Sequence, residues 1–142
     1  MFGGGRLTNL LTAIFGKFTN SAFSNDVGGR IFLDEAPSGV EFPYCVYSIV
    51  SGTQNKTFTE HYTNTLLQFS LFSSSESVLE ITTMYADLKS LFDECSLSIT
   101  SSSLVWMREQ NLTTMVEDIT TPDGTQTVKH YAVDFEVLTS LS

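Results

Sequence analysis

The side chains best suited to proton transfer or metal binding near neutral pH are histidines, and this chain has two, His61 beside Glu60 and His130 in an alternating apolar run. Neither has a second histidine or a cysteine at metal-ligand spacing, and both read as ordinary surface residues. Three pairs of carboxylates, Asp34-Glu35, Asp93-Glu94 and Glu117-Asp118, could in principle do acid and base work. Each pair is adjacent in sequence, so on a strand its members point to opposite faces, which is poor geometry for two carboxyls flanking one bond. Cys45 and Cys95 stand too far apart for a metal or redox motif and too few for a disulfide framework, so they read as free thiols. Gly3-Gly4-Gly5-Arg6 precedes a helical pattern but lacks the preceding strand and the Lys-Ser/Thr pair of a phosphate loop. The sequons at Asn55 and Asn111 matter only in a secreted chain, and Trp106-Met107 reads as core packing. No catalytic constellation, metal or cofactor is implied, and the residues point away from an enzyme.

The elements that would position these groups can be read from periodicity. At 142 residues the chain has the length of a single domain, residues 1–142, with a flexible end at residues 1–6. No apolar run approaches the roughly 20 residues of a membrane span, and no cleaved signal peptide is expected. Leu7, Leu10, Leu11, Ile14, Phe15 and Phe18 share one face of a first amphipathic helix. A second and stronger one carries Val78, Ile81, Tyr85, Leu88 and Phe92 on a stripe, with Ser77 and Glu80 at capping-box spacing.

Strands carry the rest. Arg30–Leu33 is short, and "EFPYCVYSIVSG" then puts Cys45, Tyr47 and Ile49 on one face and Tyr44, Val46, Ser48 and Val50 on the other. Pro43 has no amide to give a ladder and marks where that strand begins. Thr63–Ser73 pairs with it as a hairpin. Short strand 97–100 precedes 104–119, in which the apolar parity changes around Glu109–Asn111 and predicts a bulge. A Pro122-Asp123-Gly124 turn leads to 128–139, with Tyr131, Val133, Phe135 and Val137 inward. The expected fold is α+β: a single domain with a mostly antiparallel sheet of about four to six strands and two amphipathic helices packed on it. Pro43, Tyr44, Tyr47, Ile49, Phe69, Tyr85, Leu88 and Phe135 are its expected structural core.

The "SGTQNKTFTEHY" stretch between the two hairpin strands is longer than the two to five residues a hairpin needs. Aromatic residues set among polar ones suit a partner contact, so Lys56, Phe58, Glu60, His61 and Tyr62 are the candidate partner-binding residues. The net charge of −9 and pI near 4.4 oppose binding to phosphate backbones.

The acidic, proline-containing "LDEAPSG", the "FPYCVYSI" strand entry, the hairpin into "LLQFSLFS", the second helix, an Arg108-containing strand, the DG turn and the closing "HYAVDFEVLT" together resemble the tail terminator, or tail completion, proteins of long-tailed bacteriophages and related prophages. The Ser-rich segment 96–103 and the irregular strand after it depart from that pattern. The resemblance implies a virion tail protein, a homo-oligomer of six subunits forming a ring on the tail tube. Its partners would be the tail tube protein and a head-tail connector, and DNA would pass through without specific binding. A neck or minor tail component, or a small ligand-binding domain, are the other readings.

Overall fold

The computed structural model describes residues 4–56, 61–122 and 124–141. Helix α1 (Gly4–Phe18) and the short α2 (Ala22–Asp26) lead into β1 (Ile31–Leu33), β2 (Tyr44–Lys56), β3 (His61–Ser73), α3 (Leu79–Phe92), β4 (Ser98–Ile99), β5 (Ser102–Thr121) and β6 (Gly124–Leu141). α1 starts inside the glycine run that the sequence suggested was flexible as far as Arg6. The six strands form one mixed sheet in the order β1-β2-β3-β6-β5-β4. Only β1 and β2 are parallel; every other neighbouring pair is antiparallel.

Strand parity divides the sheet as the apolar pattern requires. Cys45 and Tyr47 of β2, Leu67, Phe69 and Leu71 of β3, and Val133, Phe135 and Val137 of β6 are buried on one face. Leu10, Ile14 and Phe18 of α1, Phe23 of α2, and Ile81, Met84, Leu88 and Phe92 of α3 cover them, in one continuous core. Phe69 sits at its centre, stacked on Phe92 at 5.1 Å and edge-on to Phe135 at 5.5 Å. Of the expected core residues, Tyr47, Phe69, Leu88 and Phe135 are buried, while Pro43, Tyr44, Ile49 and Tyr85 are half-buried. Pro43 follows a cis peptide bond and β2 begins with the next residue.

Four local expectations need correction. Phe15 is 59% exposed, because α1 rests on its Leu10-Ile14-Phe18 stripe and Phe15 lies off that line. Val78 is also exposed and precedes α3, whose buried stripe takes Met84 instead. No capping box forms. Ser77 Oγ accepts the Leu79 amide at 3.1 Å, but Glu80 Oε1 accepts from the fully buried Ser73 hydroxyl at 2.6 Å, a donor left without water. Finally, the stretch after Ile49 is strand and not loop: the β2–β3 ladder runs from Ser51↔Leu66 to Lys56↔His61. Only residues 57–60 connect the strands, an ordinary hairpin length. Polar residues on an edge strand have no apolar alternation to betray them.

The bulge expected at Glu109–Asn111 is present, a register shift in the β5–β6 ladder, and a second shift falls between Leu104 and Trp106. Gly124, at φ +122, opens β6 directly after the turn, in a conformation that side chains rarely adopt.

Candidate assembly surface

Helices cover only one face of the sheet. The opposite face presents an aromatic line built from the other parity of β2, β3 and β6. The rings of Phe42 and Tyr44 are 5.3 Å apart, Tyr44 stacks on Phe72 at 4.8 Å, and Phe72 stacks on the imidazole of His130 at 4.3 Å. A cleft of about 870 Å³ lies over Phe42, Tyr44 and Phe72, walled by the loop 34–42 on one side and by Ile119, Pro122 and Gln126 near the β5–β6 turn on the other. Arg30 braces the loop by donating from Nε to the Pro43 carbonyl at 3.0 Å. Burial, followed by the nearby Glu117 charge, raises the Tyr44 hydroxyl above its ordinary pKa.

His130 is therefore not the plain surface residue its alternation suggested. Its side chain is 15% exposed, with Nδ1 3.2 Å from Glu117 Oε1 and Nε2 without a partner. Period-2 alternation says which face a residue takes, not whether something else covers that face. His61 is exposed at the start of β3, and Tyr62 is half-buried beside it, paired with Asn55 and Ser140. Phe58 and Glu60 lie outside the described residues, and for Lys56 the backbone alone is described. The expected contact segment is thus the tip of a regular hairpin at the end of the sheet, with β6 paired to β3 as far as Tyr62, and not a long loop.

The adjacent carboxylates separate onto structural tasks. Asp93 Oδ1 accepts the Glu109 amide at 3.0 Å, and the Glu94 amide donates to the Met107 carbonyl at 2.7 Å, so both finish β5 along its outer side. Asp118 accepts from Thr127 across the hairpin at 3.1 Å. Trp106 and Met107 part company, Met107 into the core and Trp106 onto the open face, where the Arg108 guanidinium lies 3.7 Å over its ring. Both thiols are free, and burial pushes the Cys45 thiol up. Among the described residues no three His, Cys, Asp or Glu side chains are grouped to hold a metal ion, and no helix is long and apolar enough to cross a membrane.

One titratable contact had no signal in the sequence. Asp26, the last residue of α2, meets Asp87 of α3, and burial, together with the hydrogen bond and charge of Asp87, pushes its carboxyl up to about 7. The two residues are sixty-one positions apart, so only the packing of α2 on α3 brings them together.

A family model for tail completion protein gp17 matches residues 12–140, from the middle of α1 to the end of β6. Among solved structures, the fold is similar to a chain in the virion of a native gene transfer agent particle. That likeness has a TM-score of 0.72 and 11% identity, and covers 97% of this chain and 99% of that one. A second solved chain has a TM-score of 0.54 at 10% identity, over 92% of this chain and 94% of that one. No curated protein matches. At these identities the solved structures speak for the fold alone, but the family match spans nearly every element described above: the chain belongs to the tail completion protein gp17 family and is a structural protein of the virion tail.

Proposed function

We propose that six copies of this chain close into a ring at the head-proximal end of the tail tube, where the ring ends tube polymerisation and offers the surface that joins the head. The family match over residues 12–140 carries this reading. The open sheet face supports it: of a line of four stacked groups, Phe42, Tyr44, Phe72 and His130, the first three line a cleft that the chain's own helices do not fill. Such a face suits a partner better than bulk solvent. The role is one of contact and not of catalysis, with the tube protein on one side of the ring and a head-tail connector on the other.

Within that role the hairpin tip that ends at Lys56 and His61 is an assembly contact, with Phe58 and Tyr62 as its aromatic anchors and Glu60 at its rim. Replacing residues 57–60 by an Asn-Gly turn keeps the Lys56↔His61 pair as the last rung of the hairpin. The variant is expected to melt like the parent and to fail in capping tubes or joining heads. Normal particle assembly would remove the tip from the interface.

Electron microscopy of the purified protein and of intact particles tests the whole reading. A six-fold ring at the junction of tube and head is the expected image. A single copy, an open filament, or a ring seated among the neck proteins away from the tube end would overturn it, the last in favour of a connector.

A further inference from the structure

A sheet that ends in unpaired backbone has to be covered, blunted or used, and the two edges of this one are guarded over only half their length. β1 pairs with β2 at Cys45–Tyr47, and nothing lies beyond Ser48–Lys56 among the described residues. On the other side β4 pairs with β5 at Ser102 and Ser103, and the Asp93 and Glu94 contacts extend the cover to Glu109. From Asn111 to Thr121 no further described strand follows.

Charges stand in the open halves only at Lys56, the end of β2, and at Glu117 and Asp118 in the last turnward part of β5. Ser48–Asn55, "SIVSGTQN", and Asn111–Val116, "NLTTMV", contain no charge and no proline. β2 does have a bulge between Ile49 and Ser51, but the ladder is regular from Ser51 onward. An edge of that length and composition is a template for another strand.

We propose that neighbouring copies in the ring join edge to edge, the open half of β5 in one copy pairing antiparallel with the open half of β2 in the next. The inference rests on the ring reading above and adds the contact that closes it. The strand directions allow it. β2, β3, β6 and β5 alternate in direction across the sheet, so β2 and β5 run opposite ways, and copies that present the same face outward bring them together antiparallel. The two edges are different surfaces, so the contact is heterologous and propagates into a ring and not a closed pair.

The stagger is also suitable. Thr53 lies level with Trp106 through Asn64 and Leu138, whereas the open half of β5 starts at Asn111. Pairing the two halves displaces each copy by about six residues, roughly 20 Å along the strands, against a repeat of four strands, β2, β3, β6 and β5, about 19 Å wide. That ratio tilts the strands by about 45°, at the upper end of the tilt at which closed barrels form.

Backbone parity supplies the test. Cys45 donates to Arg30 and Tyr47 accepts from Asp34, so odd residues of β2 face β1 and even ones face β3 before the bulge. Carried through the registers, Thr113 of β5 faces β6 while Leu112, Thr114 and Val116 face outward; beyond the bulge Gly52 and Gln54 face outward on β2. Proline at an outward position removes an amide that β5 and β6 do not use. Thr114→Pro and Gln54→Pro are each expected to melt within a few degrees of the parent and to form no rings, seen by native mass measurement and electron microscopy. Mixed, the two variants retain one compatible pair of edges, β5 of the Gln54→Pro chain and β2 of the Thr114→Pro chain, and are expected to give heterodimers and nothing larger. Thr113→Pro, which breaks the chain's own ladder, should destabilise the fold. Rings assembled from Thr114→Pro alone overturn the edge pairing. If the proline variants fail to fold, hydrogen exchange on the unaltered protein decides: the Leu112, Thr114 and Val116 amides should exchange at least tenfold more slowly in rings than in diluted monomer, and equal rates overturn the pairing. A parent chain that forms no ring in solution or in particles overturns the ring itself, a result distinct from rings whose outward amides stay unprotected.

Discussion

The Tyr85 hydroxyl lies 2.8 and 2.7 Å from the two carboxylate oxygens of Glu109, so a single proton bridges α3 to β5. Lys89 reaches the same carboxylate at 3.5 Å. Burial, and then the Glu109 hydrogen bond and charge, push the Tyr85 hydroxyl up to about 12. Tyr85→Phe keeps the ring and its tilted contact with Tyr131 but leaves Glu109 without its hydroxyl donor. The expected loss is about 1–2 kcal/mol of unfolding free energy, since a hydrogen bond to a charged acceptor is removed, read as a lower urea midpoint with an unchanged slope. An unchanged midpoint would mean that water replaces the hydroxyl at no cost.

The Asp26–Asp87 contact makes stability depend on pH. Because the folded carboxyl of Asp26 is raised from 3.8 to about 7, the folded state binds a proton that the unfolded chain releases. That contribution is fully present below about pH 4 and is lost as pH rises through about 7. Asp26→Asn keeps a donor at the site and removes the titration. The variant should gain on the parent as pH rises from 4 to 8, reaching about 1–2 kcal/mol at pH 8, a value reduced from the full shift because the pair is partly solvated. Parallel melting curves at every pH would show that the two carboxyls are not coupled.

Phe69 is the largest single investment of the core, in ring contact with Phe18, Tyr47, Phe92 and Phe135. Phe69→Ala is expected to cost about 3–5 kcal/mol, enough to unfold a marginal domain at room temperature. Thermal melting followed by circular dichroism measures it. The contrasting change, Phe15→Ala on the exposed side of α1, should leave the melting temperature within a degree or two.

The chain is expected to leave duplex DNA alone. In the proposed ring six copies would carry about −54 formal charges, from −9 each, and would repel phosphates at any surface they share with the lumen. Retention of labelled duplex DNA by the assembled ring at physiological salt would contradict this.

The sequence by itself determined the parts of the molecule whose cause is local. Alternation in Tyr44–Ile49 and Tyr131–Val137 assigned the two faces of β2 and β6, and the parity change at Glu109–Asn111 announced a bulge, because burial of one face is written directly into side-chain type. Three- and four-residue spacing located both long helices for the same reason. The acidic balance, a property of composition alone, argues against a nucleic-acid binder before any geometry is considered. What only the tertiary structure decided is everything that depends on which backbone lies beside which. The polar stretch Ser51–Lys56 is strand because β3 offers it a ladder, and hydrogen bonds between peptide groups leave no mark on side-chain chemistry. Insertion of β6 between β3 and β5 is likewise a long-range pairing, and it leaves the second half of β5, beyond the short β4, as an edge among the described residues. Phe72 covering His130, Tyr85 meeting Glu109 and Asp26 meeting Asp87 join residues 58, 24 and 61 positions apart, distances over which no sequence period extends.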